Sequence, residues 1–91
     1  MAFDLNRFKS APVIGIIRGV NEESLEGVIE ASLAGGLRFL EITLNTPGSF
    51  QLIKKVRDQN TELTIGAGTV LSAEAAKKAC DAGAQFIVAP D

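Results

Sequence analysis

Apolar positions along this chain follow two alternating rhythms. Pro12 opens Val13-Ile14-Gly15-Ile16-Ile17, a continuous run of strand length rich in β-branched residues, as expected of a parallel strand buried on both faces. From Asn21 the rhythm becomes helical. Asn21 stands as an N-cap, and Glu22 and Glu23 fall in the first turn, where the helix dipole favours negative charge. Leu25, Val28, Ile29 and Leu33 form one apolar stripe that stops at Gly35-Gly36. A second strand runs from about Arg38 to Leu44. Thr46 as N-cap and Pro47 at the first helical position restart a helix, with Leu52, Ile53 and Val56 inward and Lys54, Lys55 and Arg57 outward. Leu63 to Ala67 makes a third strand. Ser72 caps a further helix whose buried side is Ala75, Ala76, Ala79 and Cys80 and whose wet side is Lys77, Lys78 and Asp81. After Gly83 a fourth strand covers Phe86 to Ala89. Residues 1 to 10 set Phe3, Leu5 and Phe8 against Asp4, Arg7 and Lys9, a short amphipathic lead-in suited to covering the open end of a sheet or barrel.

Behind that lead-in the order is β-α-β-α-β-α-β. Strand centres fall near Ile17, Ile42, Ile65 and Val88, at steps of 25, 23 and 23 residues. Ala34-Gly35-Gly36 and Ala82-Gly83-Ala84 recur 48 residues apart, each between a helix and the next strand, as repeated βα units require. Parallel strands joined by right-handed crossovers build either an open doubly wound sheet or a (β/α)8 TIM barrel. Even spacing and polar residues at every strand's C-terminal end favour the barrel, whose active sites lie on that face. A whole barrel takes at least about 200 residues. Residues 1–91 are therefore expected to be one domain's N-terminal half, with four strands and three helices besides the lead-in.

Composition narrows the chemistry. Of 91 residues, 46% are hydrophobic, and the formal charge is -2 with acidic and basic residues interspersed, which indicates neither a nucleic-acid footprint nor a membrane-surface patch. Met1 to Ser10 lacks the apolar stretch of an export signal, and no run approaches the ~20 residues of a membrane span. One cysteine, Cys80, excludes an internal disulfide and fits the cytoplasm. Histidine is absent, so neither a Ser-His-Asp triad nor a His-built zinc site lies in this segment.

The chemistry centres on Glu41, an ionisable carboxylate inside an apolar strand. Period-2 alternation places Phe39, Glu41 and Thr43 on one face and Leu40, Ile42 and Leu44 on the other. Moving an unpaired carboxylate out of water raises its pKa or demands a partner. Arg18, Glu41, Thr69 and Pro90 lie at or just beyond successive strand ends, and a closed barrel gathers them at one mouth. Arg18 is open to two readings, a ligand anchor or a structural partner of Glu41. Gly66-Ala67-Gly68 is not a dinucleotide fingerprint, because Leu71 occupies the third glycine position, and no P-loop is present. Gly68 and Thr69 instead offer close backbone approach and a hydroxyl near a helix N-terminus, suited to a carboxylate or phosphate oxygen, or else a plain turn.

Ile16-Ile17-Arg18-Gly19, the strand Leu40-Glu41-Ile42-Thr43-Leu44-Asn45-Thr46, Ile65-Gly66-Ala67-Gly68-Thr69-Val70-Leu71 and Ala82-Gly83-Ala84-Gln85-Phe86-Ile87-Val88-Ala89-Pro90 come in one order. In that order they resemble the N-terminal half of the 2-keto-3-deoxy-6-phosphogluconate / 4-hydroxy-2-oxoglutarate aldolase family. The resemblance implies a homotrimeric (β/α)8 barrel and class I chemistry through a lysine Schiff base, with no metal or organic cofactor. It implies that Glu41 is the general acid/base and that Arg18 and Thr69 hold the pyruvyl carboxylate of a small keto-acid substrate, with Gly68 and Pro90 beside them. Asn45 stands where many gluconate-cleaving members have arginine, closer to the branch acting on the galactonate epimer or to mixed-specificity members. The family's Schiff-base lysine lies on a later strand and its phosphate loops later still. Two other readings share the βα rhythm: another phosphate-binding barrel, such as a thiamin phosphate synthase relative, and a non-catalytic half-barrel.

Overall fold

The computed structural model describes residues 4–10, 12–59 and 62–90. Its elements in chain order are α1 (Leu5–Ser10), β1 (Ile14–Ile17), α2 (Glu22–Ala34), β2 (Phe39–Thr43), α3 (Ser49–Gln59), β3 (Thr64–Gly68) and α4 (Ala73–Asp81). The three strands are parallel, in the order β1-β2-β3, so α2 and α3 are crossovers between neighbours. Phe3, part of the expected lead-in, lies outside the described residues.

The helix signals act as their chemistry demands. Asn21 caps α2 through a reciprocal pair of bonds: the Ser24 N–H donates to Asn21 Oδ1 at 2.9 Å and the Asn21 N–H to Ser24 Oγ at 3.3 Å. Ser72 caps α4 by accepting from the Ala75 N–H at 3.0 Å. Gly36 and Gly83 follow α2 and α4 at φ of 94° and 110°, a region closed to most side chains.

The sheet has two faces of different character. Leu40, Ile42, Ile65 and Ala67 point outward and pack with Leu25 and Ile29 of α2, Leu52, Ile53 and Val56 of α3, and Ala79 of α4. This is the hydrophobic core, and the stripes read from the sequence form it. The inner face carries Phe39, Glu41 and Thr43, in register with Thr64, Gly66 and Gly68 on one side. On the other side lie Ile14 and Ile16, opposite Phe39 and Glu41. At the strands' N-terminal end α1 covers this face, as expected of the lead-in: Phe8 meets Phe39 edge-on at 5.2 Å between centroids, and Phe86 lies 6.4 Å from Phe39. Arg7 donates to the Glu62 backbone carbonyl, tying the same helix to the approach to β3. Beyond the aromatic cluster the face opens, and Ile16 is 63% exposed.

Three expectations need correction. The segment expected as a fourth strand runs parallel to β3 but joins it through one bridge, Ala67 with Ile87. Its ladder begins on a side chain: the Ile65 N–H donates to Gln85 Oε1 at 3.0 Å while the Gln85 N–H donates to Ile65 O at 2.7 Å. Only the bonds around Ala67, and one from the Val70 N–H to Val88 O, continue it before Pro90. Next, α3 begins at Ser49 rather than at Pro47, because the Thr46 hydroxyl is engaged elsewhere and Thr46 to Gly48 form a turn, with Gly48 at φ 71°. Finally, Cys80 is exposed: the α4 face against the sheet is carried by Ala79, with Ala75 and Ala76 half-buried.

Candidate functional site

Glu41 occupies the middle of the middle strand, and the backbone dictates where its carboxylate lies. Its register partners are Ile16 on β1 and Gly66 on β3. The side chain leans towards the C-terminal end of β3, above Gly68. A methyl group built on Gly68 would fall inside contact distance of Oε1 and Cδ of Glu41, so the missing side chain is what makes room for the carboxylate. Gly66 has the same function one step lower, since a methyl there would enter the ring of Phe86. The Gly-Ala-Gly sequence is therefore a packing device, with Ala67 on the core side and both glycines on the inner face.

Glu41 is 5% exposed. Burial raises its pKa above the usual carboxylate value, and the positive charge of Arg18 pulls the other way without cancelling the shift. Arg18 is exposed at the end of β1. Among the described residues the ion pairs are Lys54–Asp58, Lys55–Glu22, Lys77–Asp81 and Lys78–Glu74, so Arg18 and Glu41 are not bridged. The geometry thus disfavours Arg18 as a structural partner of Glu41 and leaves its guanidinium available to a ligand.

Thr69 follows Gly68 at φ 55°, where a β-branched residue is sterically disfavoured. Such strain clusters where a side chain or N–H must be presented in one direction. Asn45 and Pro90 lie exposed on the loops beyond β2 and beside β3. The structure therefore brings Glu41 and Gly68 into contact and sets Arg18 and Thr69 at the ends of β1 and β3, the two strands that flank β2, with Asn45 and Pro90 on exposed loops.

Reading the sequence missed a buried hydroxyl pair. Thr43 Oγ1 and Thr46 Oγ1 share a hydrogen bond of 2.9 Å, and the Gly19 N–H donates to Thr46 Oγ1 at 2.9 Å. The available signal was Thr43 itself, which alternation places on the face of Glu41. Among the described residues no group of three or more His, Cys, Asp or Glu is disposed to hold a metal ion, and no helix is long and apolar enough to cross a membrane.

Residues 5–91 match the family described as KDPG and KHG aldolase. A 2-dehydro-3-deoxy-phosphogluconate aldolase of Treponema pallidum (strain Nichols) is 36% identical over 86 residues, covering 94% of this chain and 40% of that protein. A KHG/KDPG aldolase of Escherichia coli (strain K12) is 35% identical over 81 residues, 89% of this chain and 38% of its own. The crystal structure of a KDPG aldolase from Legionella pneumophila, with pyruvate captured at low pH as a covalent carbinolamine intermediate, matches with a TM-score of 0.81 at 34% identity. That match covers 87% of this chain and 38% of the other. The chain spans about 40% of the length of the curated relatives it matches.

Proposed function

Because this chain belongs to the KDPG and KHG aldolase family, we propose that it forms the N-terminal half of a single (β/α)8 barrel that acts as a class I aldolase. The barrel cleaves 2-keto-3-deoxy-6-phosphogluconate or a related 2-keto-4-hydroxy acid to pyruvate and an aldehyde, glyceraldehyde 3-phosphate in the first case. It works as a homotrimer in the cytoplasm. Residues 1–91 supply the proton-transfer and carboxylate-holding side of the mouth, and a lysine on a later strand supplies the amine.

The observation that carries this reading is the Glu41 carboxylate, enclosed on the inner face over Gly68 with its pKa raised. In class I cleavage the amine adds to the C2 carbonyl, and the carbinolamine loses water to give the imine. Glu41 protonates the departing hydroxyl and, as carboxylate, then takes the C4 hydroxyl proton while the C3–C4 bond breaks. The electron pair of that bond passes into the imine as an enamine, and the aldehyde leaves. Protonation at C3 and hydrolysis release pyruvate. A group that alternates between acid and base works best with a pKa near the operating pH, the direction in which burial moves Glu41. Arg18 and Thr69 hold the keto-acid carboxylate, a guanidinium being matched to a planar anion. Gly68 leaves the space in which the Glu41 carboxylate sits, and Asn45 and Pro90 contribute from the rim.

The test is pyruvate release by the full-length protein from 2-keto-3-deoxy-6-phosphogluconate, its galactonate epimer and 4-hydroxy-2-oxoglutarate. Release from at least one is expected. Failure with all three, in folded protein, would overturn the proposal.

A further inference from the structure

We infer that Thr46 is a positioning residue for Arg18, holding the loop after β1 against the loop after β2 so that the guanidinium stays over the face occupied by Glu41. The inference rests on the aldolase reading above, within which Arg18 holds the substrate carboxylate.

Three observations lead to it. The β1 ladder ends at Ile17, paired with Ile42, so Arg18 and Gly19 have already left the sheet. Both are exposed, and Gly19 turns through φ 71°, a backbone free to swing unless something holds it. What holds it is the 2.9 Å bond from the Gly19 N–H to Thr46 Oγ1, made by the residue next to Arg18. Thr46 is itself buried and bonded through its backbone. It is 2% exposed, its N–H donates to Thr43 O at 3.0 Å, and its carbonyl accepts from the Ser49 N–H at 3.1 Å.

The Thr46 hydroxyl also bonds the hydroxyl of Thr43, two residues past Glu41 on the inner face. One side chain thus links the loop that carries the anion-binding group to the strand that carries the proton-transfer group. Holding two such groups in a fixed relation is a recognised source of catalytic advantage, and a group that grips the unreacting carboxylate alike in ground state and transition state shows its loss in KM rather than in kcat.

The experiment compares Thr46→Val with Thr46→Ser in the full-length aldolase, each alone and combined with Arg18→Gln. Thr46→Val removes the acceptor at nearly constant volume and is expected to raise KM for the keto acid about tenfold, the scale of one lost hydrogen bond, with kcat little changed. Thr46→Ser restores the acceptor and returns KM to the parent value. In the Arg18→Gln background, where KM is already raised, Thr46→Val is expected to add nothing further, because its effect passes through Arg18. Thr46→Ala serves the same comparison if valine disturbs folding.

A KM increase that persists undiminished without Arg18, or that serine fails to rescue, would overturn the positioning role while leaving the aldolase reading in place. Loss of the melting temperature alone, with unaltered KM, would overturn it too. A parent protein that releases no pyruvate would remove the aldolase reading and this inference together.

Discussion

Glu41→Gln in the full-length aldolase is expected to lower kcat by about 10²-fold or more while the protein remains folded, the usual contribution of a general acid-base group. Glutamine keeps the shape over Gly68 and neither gains nor loses a proton. The same substitution should stabilise the 91-residue chain in one pH range only. Burial raises the Glu41 pKa, so above the ordinary carboxylate range the folded chain still holds a proton that the unfolded chain has released. The stability contributed by Glu41 is therefore full at low pH and is lost as pH rises from the unfolded value through the raised folded one. Glutamine is exempt from that loss. The variant should melt above the parent at neutral pH and together with it below about pH 4. Near-normal turnover would contradict the assignment, and a melting difference independent of pH would contradict the burial of the charge.

Gly68→Ala is expected to be nearly as damaging to the rate, although it adds one methyl group. That methyl cannot coexist with Oε1 and Cδ of Glu41 where they stand. The carboxylate is the flexible end of a side chain and gives way, so the fold loses only about 1 kcal/mol. A proton-transfer group displaced by about 1 Å can lose 10²-fold in rate, and kcat should fall on that scale. Gly66→Ala is the informative contrast. The atoms it meets belong to the ring of Phe86, packed near Phe39, and the expected cost is about 1 to 3 kcal/mol of stability. Denaturant titrations beside kinetics of both variants separate the two glycines. Equal profiles would mean that Gly68 has no special relation to Glu41.

Those glycines also show where sequence reading stops. The alternation of strands and helices was legible because each transition has a local cause: β-branched runs for the strands, Asn21 and Ser72 at helix starts, glycines at helix ends. Glu41 was legible because a carboxylate in an apolar strand contradicts its surroundings. Gly66 and Gly68 marked close approach, but what approaches each of them depends on strand register and on where Phe86 returns, neither of which is local. Thr46 misled for a related reason. A hydroxyl before Pro47 suits an N-cap, and only the neighbouring loop, 27 residues away, brings the Gly19 N–H that claims it. The segment after Gly83 has a strand's composition, yet its pairing starts from the Gln85 side chain, a substitution that no periodicity reveals.

The central proposal is a division of labour, in which this chain carries the acid-base carboxylate of a class I aldolase and a later segment carries its amine. Lys54, Lys55, Lys77 and Lys78 sit on α3 and α4, each paired with an acidic residue, and Lys9 is exposed on α1 at the opposite end of the strands from the loop of Arg18. Class I chemistry needs an amine inside the barrel mouth, beside the Glu41 carboxylate, and all of these lysines stand on helices rather than on the inner face of the sheet. The most direct measurement is the intact mass of the 91-residue chain after incubation with pyruvate and borohydride, beside the full-length protein treated identically. The account predicts a reduced pyruvate adduct on the full-length protein and none on the 91-residue chain. A stoichiometric adduct on the 91-residue chain would contradict it.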